Sequence, residues 1–345
     1  MVPIESESAS WAVPSTAVSG LYIASAYKDE WGGSSHIAFI VRDDASTADI
    51  LLKTSDNTWQ AYNAYGGNSL YVGSTSYPNG HAAKVSLNRP YITLQWRRRR
   101  WRRPGLVHEC RISDDQIPER NGAIILPIAT DVDMDRDATP ITPAQHKPII
   151  SSGHDEYWSL NERNKITAAR DAGVHLAFFS GNEVYWKVRW ENNYRTLVCY
   201  KEGTLGENVC GNKCDPTSAW TGLWRDGANW DAGKPENNLT GRISWSDVGS
   251  AITVTGAYKS LSVLARDGSC FTRSERICRQ HLLPGLLVTN GIFSSILEAN
   301  PHGQIALSSQ VVSGKEHRLS LYRAPSGALV FGPGTVHMGM GIDNI

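Results

Sequence analysis

The run Ser152-Gly153-His154-Asp155-Glu156-Tyr157-Trp158 constrains this chain more than any other stretch. Upstream, His146-Lys147-Pro148-Ile149-Ile150-Ser151 is short and apolar at its centre, as a buried strand is. Downstream, residues 161–173 read as a helix with Gly173 as its stop. Val174-His175-Leu176-Ala177-Phe178-Phe179 follows as a second buried strand. This order predicts a strand–helix–strand unit with a right-handed crossover. In open parallel sheets, ligands bind beyond the carboxyl ends of the strands. Both predicted strands end in Ser-Gly and then a polar group, His154-Asp155-Glu156 after the first and Asn182-Glu183 after the second. A helix N-terminus favours an acid through its dipole, which accounts for one carboxylate. It does not account for an imidazole, two acids and two glycine turns at one sheet edge. Asn182-Glu183 carries less weight alone, because Asn after Gly is ordinary turn chemistry.

The chain has 345 residues, enough for one large domain or two moderate ones. A formal net charge of zero argues against nucleic acid as the main partner. No apolar run reaches transmembrane length, so no membrane partner is expected. Residues 1–8 lack the basic and apolar regions of a signal peptide and read like the start of a fragment. The compartment stays unassigned, and an oligomer is compatible with everything read here. Cys210 and Cys214 lie in a polar loop shortly after Cys199, with no fourth soft ligand nearby. We expect a loop disulfide or free thiols there rather than zinc.

Residues 19–53 read as strand, loop, strand, strand: Leu21–Ala24, a buried Ser35–Arg42 and Ile50–Leu52. An aromatic and amide-rich loop, 54–71, follows and contains Gly66-Gly67. Beyond Tyr200 the chain turns loop-rich, with Trp220, Trp224, Trp230 and Trp245. Short strands such as Ile252–Thr255, Leu319–Arg323 and Gly327–Gly332 follow. We therefore expect an α/β core over 10–200 and a loop- and strand-rich extension over 201–345 packed on it.

No serine elbow of the Gly-x-Ser-x-Gly kind has the required strand–helix context, and the turn at 153–156 carries no cysteine. Hydrolysis at this turn would need water activated by a metal or by a carboxylate–imidazole pair. Glu156, Asp155 and tyrosine phenolates are hard oxygen ligands, which suit a hard cation.

Three motifs carry a family resemblance. They are Trp59-Gln60-Ala61-Tyr62-Asn63 with Gly66-Gly67-Asn68-Ser69-Leu70-Tyr71, then Gly153-His154-Asp155-Glu156-Tyr157-Trp158, then residues 178–187 around Ser180-Gly181-Asn182-Glu183. Ser19-Gly20-Leu21-Tyr22, Trp220-Thr221-Gly222 and Tyr322-Arg323 fit as well. Together they resemble the N,N-dimethylformamidase large (beta) subunit-like C-terminal domain family. The resemblance implies a glutamine-amidotransferase-like parallel sheet flanked by helices. It implies hydrolysis of a small amide at a mononuclear Fe(III) site held by two tyrosines and a glutamate. On the motifs these are Tyr22, Tyr62 and Glu156, with Tyr65 the alternative to Tyr62. His154 and Asn182 would line the pocket, and Asp155 would support it. A different reading keeps the fold without catalysis, as a binding module or degraded fragment of a larger secreted multidomain protein.

Gln95-Trp96-Arg97-Arg98-Arg99-Arg100-Trp101-Arg102-Arg103-Pro104 resembles a nucleic-acid patch. The family resemblance instead implies a glycine-rich loop at this place. Glycine codons GGC and GGT read out of frame give CGG and TGG, which encode Arg and Trp. We read residues 96–128 and 266–292 as out of frame, the second around Leu287–Gly291. Such a shift would remove a helix and the strand before Asp131, since arginines cannot fill a core without burying unpaired charge.

Overall fold

A computed structural model describes residues 10–28, 33–73, 80–91, 126–204, 213–227, 234–244, 292–293, 300–307, 310–312, 315–317 and 319–333. The chain opens with β1 (Gly20–Lys28) and β2 (Gly33–Val41), an antiparallel hairpin. β3 (Leu51–Lys53) leads into α1 (Asp56–Tyr62). After β4 (Lys84–Ser86) and β5 (Ile128–Ala129) comes α2 (Asp131–Arg136). Next are β6 (Pro148–His154), β7 (Tyr157–Ser159), α3 (Leu160–Asp171) and β8 (His175–Gly181). β9 (Trp186–Glu191), β10 (Thr196–Val198), α4 (Asn237–Thr240) and β11 (Ile243–Ser244) follow. The last elements are β12 (Ile292–Phe293), β13 (Ile305–Ala306), β14 (Gln310–Val312), β15 (Lys315–His317), β16 (Ser320–Arg323) and β17 (Leu329–Gly332).

The fold is mixed α/β, with few helices among the described residues. Its centre is a seven-stranded sheet in the order β13-β16-β17-β8-β6-β3-β5. From β17 to β5 every neighbouring pair is parallel. β6 and β8 share the longest register within this sheet, from Pro148 opposite His175 to His154 opposite Gly181. The predicted strand–helix–strand unit is thus present, with β7 inserted ahead of the helix. A second sheet, β4-β10-β9-β7, forms beside it, with β7 parallel to β9. The C-terminal strands β13, β16 and β17 complete the central sheet.

Local chemistry explains where α3 begins and ends. Ser159 accepts from the Glu162 backbone N–H at 3.2 Å, and the Glu162 carboxylate accepts from the Ser159 N–H at 3.2 Å, a capping box. At the other end Gly173 takes φ +105°, and its N–H donates to the Arg170 carbonyl while Val174 donates to that of Ala169. That is a Schellman stop, which favours glycine because of the left-handed backbone. The helix buries Ile166 and Ala169 against Ile149, Leu176 and Phe178 of the sheet. Burying a side chain such as Ile166 contributes about 1.5–3 kcal/mol.

Two expectations change. The stretch 35–42 was read as a buried strand, but β2 belongs to a separate hairpin and Ile37 is 55% exposed. Its alternation packs Phe39 on Tyr22 and Trp11, while Ile40 on the other face packs against Leu52 and Ile128 of the central sheet. The strand before Asp131 is present as β5, at the edge of the central sheet and parallel to β3. The Arg/Trp run, residues 96–125 and 266–291, Trp230, Trp245 and the predicted strand at 252–255 lie outside the described residues. No helix among the described residues is long and apolar enough to cross a membrane.

Candidate functional site

Glu156 leaves the carboxyl end of β6 through a glycine turn. Gly153 sits at φ +84°, a conformation that strains any residue with a Cβ. The turn is fixed from two sides. The Thr58 hydroxyl of α1 accepts from the Glu156 N–H at 3.0 Å and from that of Tyr157 at 3.3 Å. The backbone N–H groups of Tyr185 and Trp186 donate to the Glu156 carbonyl, and that of Val184 donates to the carbonyl of Asp155. The turns after β6 and β8 are therefore joined. Asn182 (φ +53°) and Val184 (φ +57°) both adopt left-handed backbone in the second turn. For β-branched Val184 this is a strained conformation, of the kind that collects at functional sites.

Two phenols converge on the Glu156 carboxylate of this turn. The Tyr62 hydroxyl, at the end of α1, donates to one oxygen of Glu156 at 2.9 Å. The Tyr71 hydroxyl donates to the other. The two phenol rings stack with centroids 4.2 Å apart. His154 Nε2 lies 3.4 Å from the Glu156 oxygen that Tyr62 holds. The Trp186 indole N–H donates to the Tyr71 hydroxyl at 3.3 Å. The Lys201 ammonium lies 3.5 Å from the Tyr71 ring centroid and 4.7 Å from that of Trp186, a cation–π arrangement. Burial and the adjacent Glu156 charge push the Tyr71 phenol well above its ordinary range, and Tyr157 beneath it likewise.

The structure brings together Tyr62, Glu156 and His154 of the residues the sequence singled out. Tyr22 stands on the β1 hairpin, where its hydroxyl donates to the Val18 carbonyl at 3.0 Å and its ring stacks on Phe39. Tyr65 is 49% exposed, so Tyr62 is the tyrosine of that loop which meets Glu156. Asn182 is buried in the turn after β8. Tyr71 was not singled out, although it closes the Gly66–Tyr71 motif. The loop folds back through the Leu70 N–H, which donates to the Ala61 carbonyl. Lys201 was also missed; its φ of +51° is invisible in sequence.

Asp155 faces away from this cluster. Its carboxylate holds the Lys53 ammonium at 2.9 Å, and Glu162 holds the same ammonium at 2.8 Å. Asp131 completes the ion pair. Oxygens of Asp131, Asp155 and Glu162 lie within 4.8 Å of one another, a grouping that could hold a metal ion. All three are fully buried, and Lys53 supplies a cation to them. Glu162 is pushed up to about 7 by burial, partly offset by Lys53. Cys214 is disulfide-bonded, and the free, buried Cys199 thiol is pushed up to about 12.

No curated protein matches the chain. Residues 6–345 match the family described as N,N-dimethylformamidase beta subunit-like, C-terminal, and the chain belongs to that family.

Proposed function

We propose that this chain is an amide hydrolase of the dimethylformamidase kind, acting on a small amide at a ferric centre held by Glu156, Tyr62 and a second phenolate. The observation that carries this reading is the convergence of Tyr62 and Tyr71 on the two oxygens of Glu156. Two phenolates and one carboxylate would balance the charge of Fe(III), and all three are hard oxygen donors. The site therefore fits such an ion on the chemistry of its donors. Tyr71 is the second phenolate that the geometry favours, with Tyr22 the one that the motif favours. When bound, the ion would act as a Lewis acid on the amide carbonyl and acidify water.

The protein groups have distinct roles in this reading. Glu156 and the phenolates hold charge in a largely buried setting. His154, with 18% of its side chain exposed, is placed to move a proton between solvent and the site. Asn182 orients the substrate through its amide. The Lys201 ammonium stabilises negative charge on the Tyr71 phenolate. A glutamine-amidotransferase-like core is part of the same proposal, supported by the parallel run β17-β8-β6-β3-β5 with ligand residues at its carboxyl edge.

The test is reconstitution of the purified protein with ferric iron. Stoichiometric iron, a visible phenolate-to-iron absorption band and amine release from a panel of small amides are expected. Glu156→Ala should lose all three. A wild-type protein that stays colourless and iron-free would overturn the reading.

A further inference from the structure

Arg242 and Glu183 form a second polar site beyond the carboxyl ends of β8 and β17. Arg242 follows α4 and is 1% exposed, and Glu183 follows β8 and is 3% exposed. The guanidinium uses one end only: Nη1 donates to the Gly332 carbonyl at the end of β17. Among the described residues its Nε and Nη2 have no hydrogen-bond partner, and neither has Glu183 Oε1. No ion pair joins the two side chains among the described residues, although each feels the charge of the other. A buried guanidinium normally satisfies its donors, because a donor left unmade keeps its full desolvation penalty.

The orphaned edge is chemically specific. Nε and Nη2 are the parallel pair of donors that a carboxylate accepts in bidentate fashion. Gly332 makes room for the arrangement, since a Cβ there would stand 2.6 Å from Arg242 Cδ. Burial pushes Glu183 up to about 8, with the Arg242 charge opposing, so near neutral pH the acid is protonated and can donate. The orphaned edge of Arg242 then carries a positive charge with no hydrogen-bonded counter-ion among the described residues, which calls for an anion.

We propose that the Nε–Nη2 edge of Arg242, faced by Glu183, is a binding site for a small carboxylate such as formate or acetate. A small carboxylate is also the acid half that hydrolysis of a small amide releases. That link rests on the function proposed above, whereas the binding site does not. The turn that carries Glu183 is bonded to the turn that carries Glu156, which places the carboxylate site on the same edge of the sheet.

The experiment is a formate titration of iron-free protein labelled with nitrogen-15 at arginine, followed through the side-chain Nε resonances. Formate should move one Nε resonance saturably, and Arg242→Lys, which keeps the charge but removes the fork, should bind about tenfold more weakly or worse. Glu183→Gln, which can still donate, should bind within about threefold of wild type. If no Nε resonance moves in the wild-type protein, the site is refuted, whether or not either variant folds. If Arg242→Lys folds and binds formate like the wild type, the assignment to this edge is refuted. Because the readout is binding, it can succeed in a protein without amidase activity and fail in one that has it.

Discussion

At the scale of single residues, two tyrosines compete for one role. The sequence supplies Tyr22 and Tyr62 by motif, but only Tyr62 reaches Glu156 in the structure, together with Tyr71. Glu156 and His154 were legible as candidates because they follow the glycine turn at a predicted strand end, whereas Tyr62 came only from the family resemblance, since residues 54–71 read as a loop although a helix carries Tyr62. Tyr71 was not legible, because a loop places it and a loop has no period. Lys201 was hidden for a related reason, since its place depends on a left-handed backbone at a non-glycine residue. The competition has a direct test. Tyr71→Phe removes the hydroxyl that meets Glu156 and keeps the ring under Lys201. It should strongly weaken the visible band of the iron-loaded protein, whereas Tyr22→Phe should leave that band unchanged. The reverse outcome, measured by absorption and resonance Raman spectroscopy, would restore Tyr22 as the ligand and move the hairpin to the site.

At the scale of elements, the ends of β3, β6, α2 and α3 meet at one lysine. Lys53 closes β3, Asp131 opens α2, Asp155 follows β6 and Glu162 caps α3. This explains why a strand of three buried residues can include a lysine. Asp155, expected from the sequence to support the pocket, is part of the charge cage that anchors the turn before Glu156. The strand–helix–strand order was legible from apolar runs and the Gly173 stop. The lysine cage was not, because its members lie far apart in sequence. Lys53→Met leaves the three acids without their counter-charge and should cost about 3–5 kcal/mol. Lys147→Met removes an ion pair of similar length, 2.8 Å to Asp49, but with both side chains well exposed. That loss should cost less than about 1 kcal/mol. Urea unfolding of both variants measures the contrast, and equal costs would mean that burial does not decide the value of these pairs.

At the scale of the whole molecule, the carboxyl edge of the central sheet gathers more buried acid than its bases neutralise. Glu162 is pushed up to about 7 and Glu183 up to about 8, both chiefly by burial. Asp131 moves the same way. Each of these groups binds its proton more tightly folded than unfolded. Their contribution to stability is complete below about pH 4, near the unfolded carboxylate values, and is lost as pH rises through their folded values. Lys53 does not blunt the trend, because burial among acids raises it well above its ordinary value and it stays charged throughout this window. The metal-free protein should therefore lose stability between about pH 5 and pH 8, by at most about 1.4 kcal/mol per pH unit for each group that ionises. Glu183→Gln removes one such group and should flatten the decline above about pH 5, where the unfolded carboxylate has lost its proton and the folded one has not. Denaturant unfolding across that range reads the slope. A Glu183→Gln profile parallel to that of the wild type would show that Glu183 ionises in the folded state as it does in the unfolded chain, and that Arg242 has a negative partner after all.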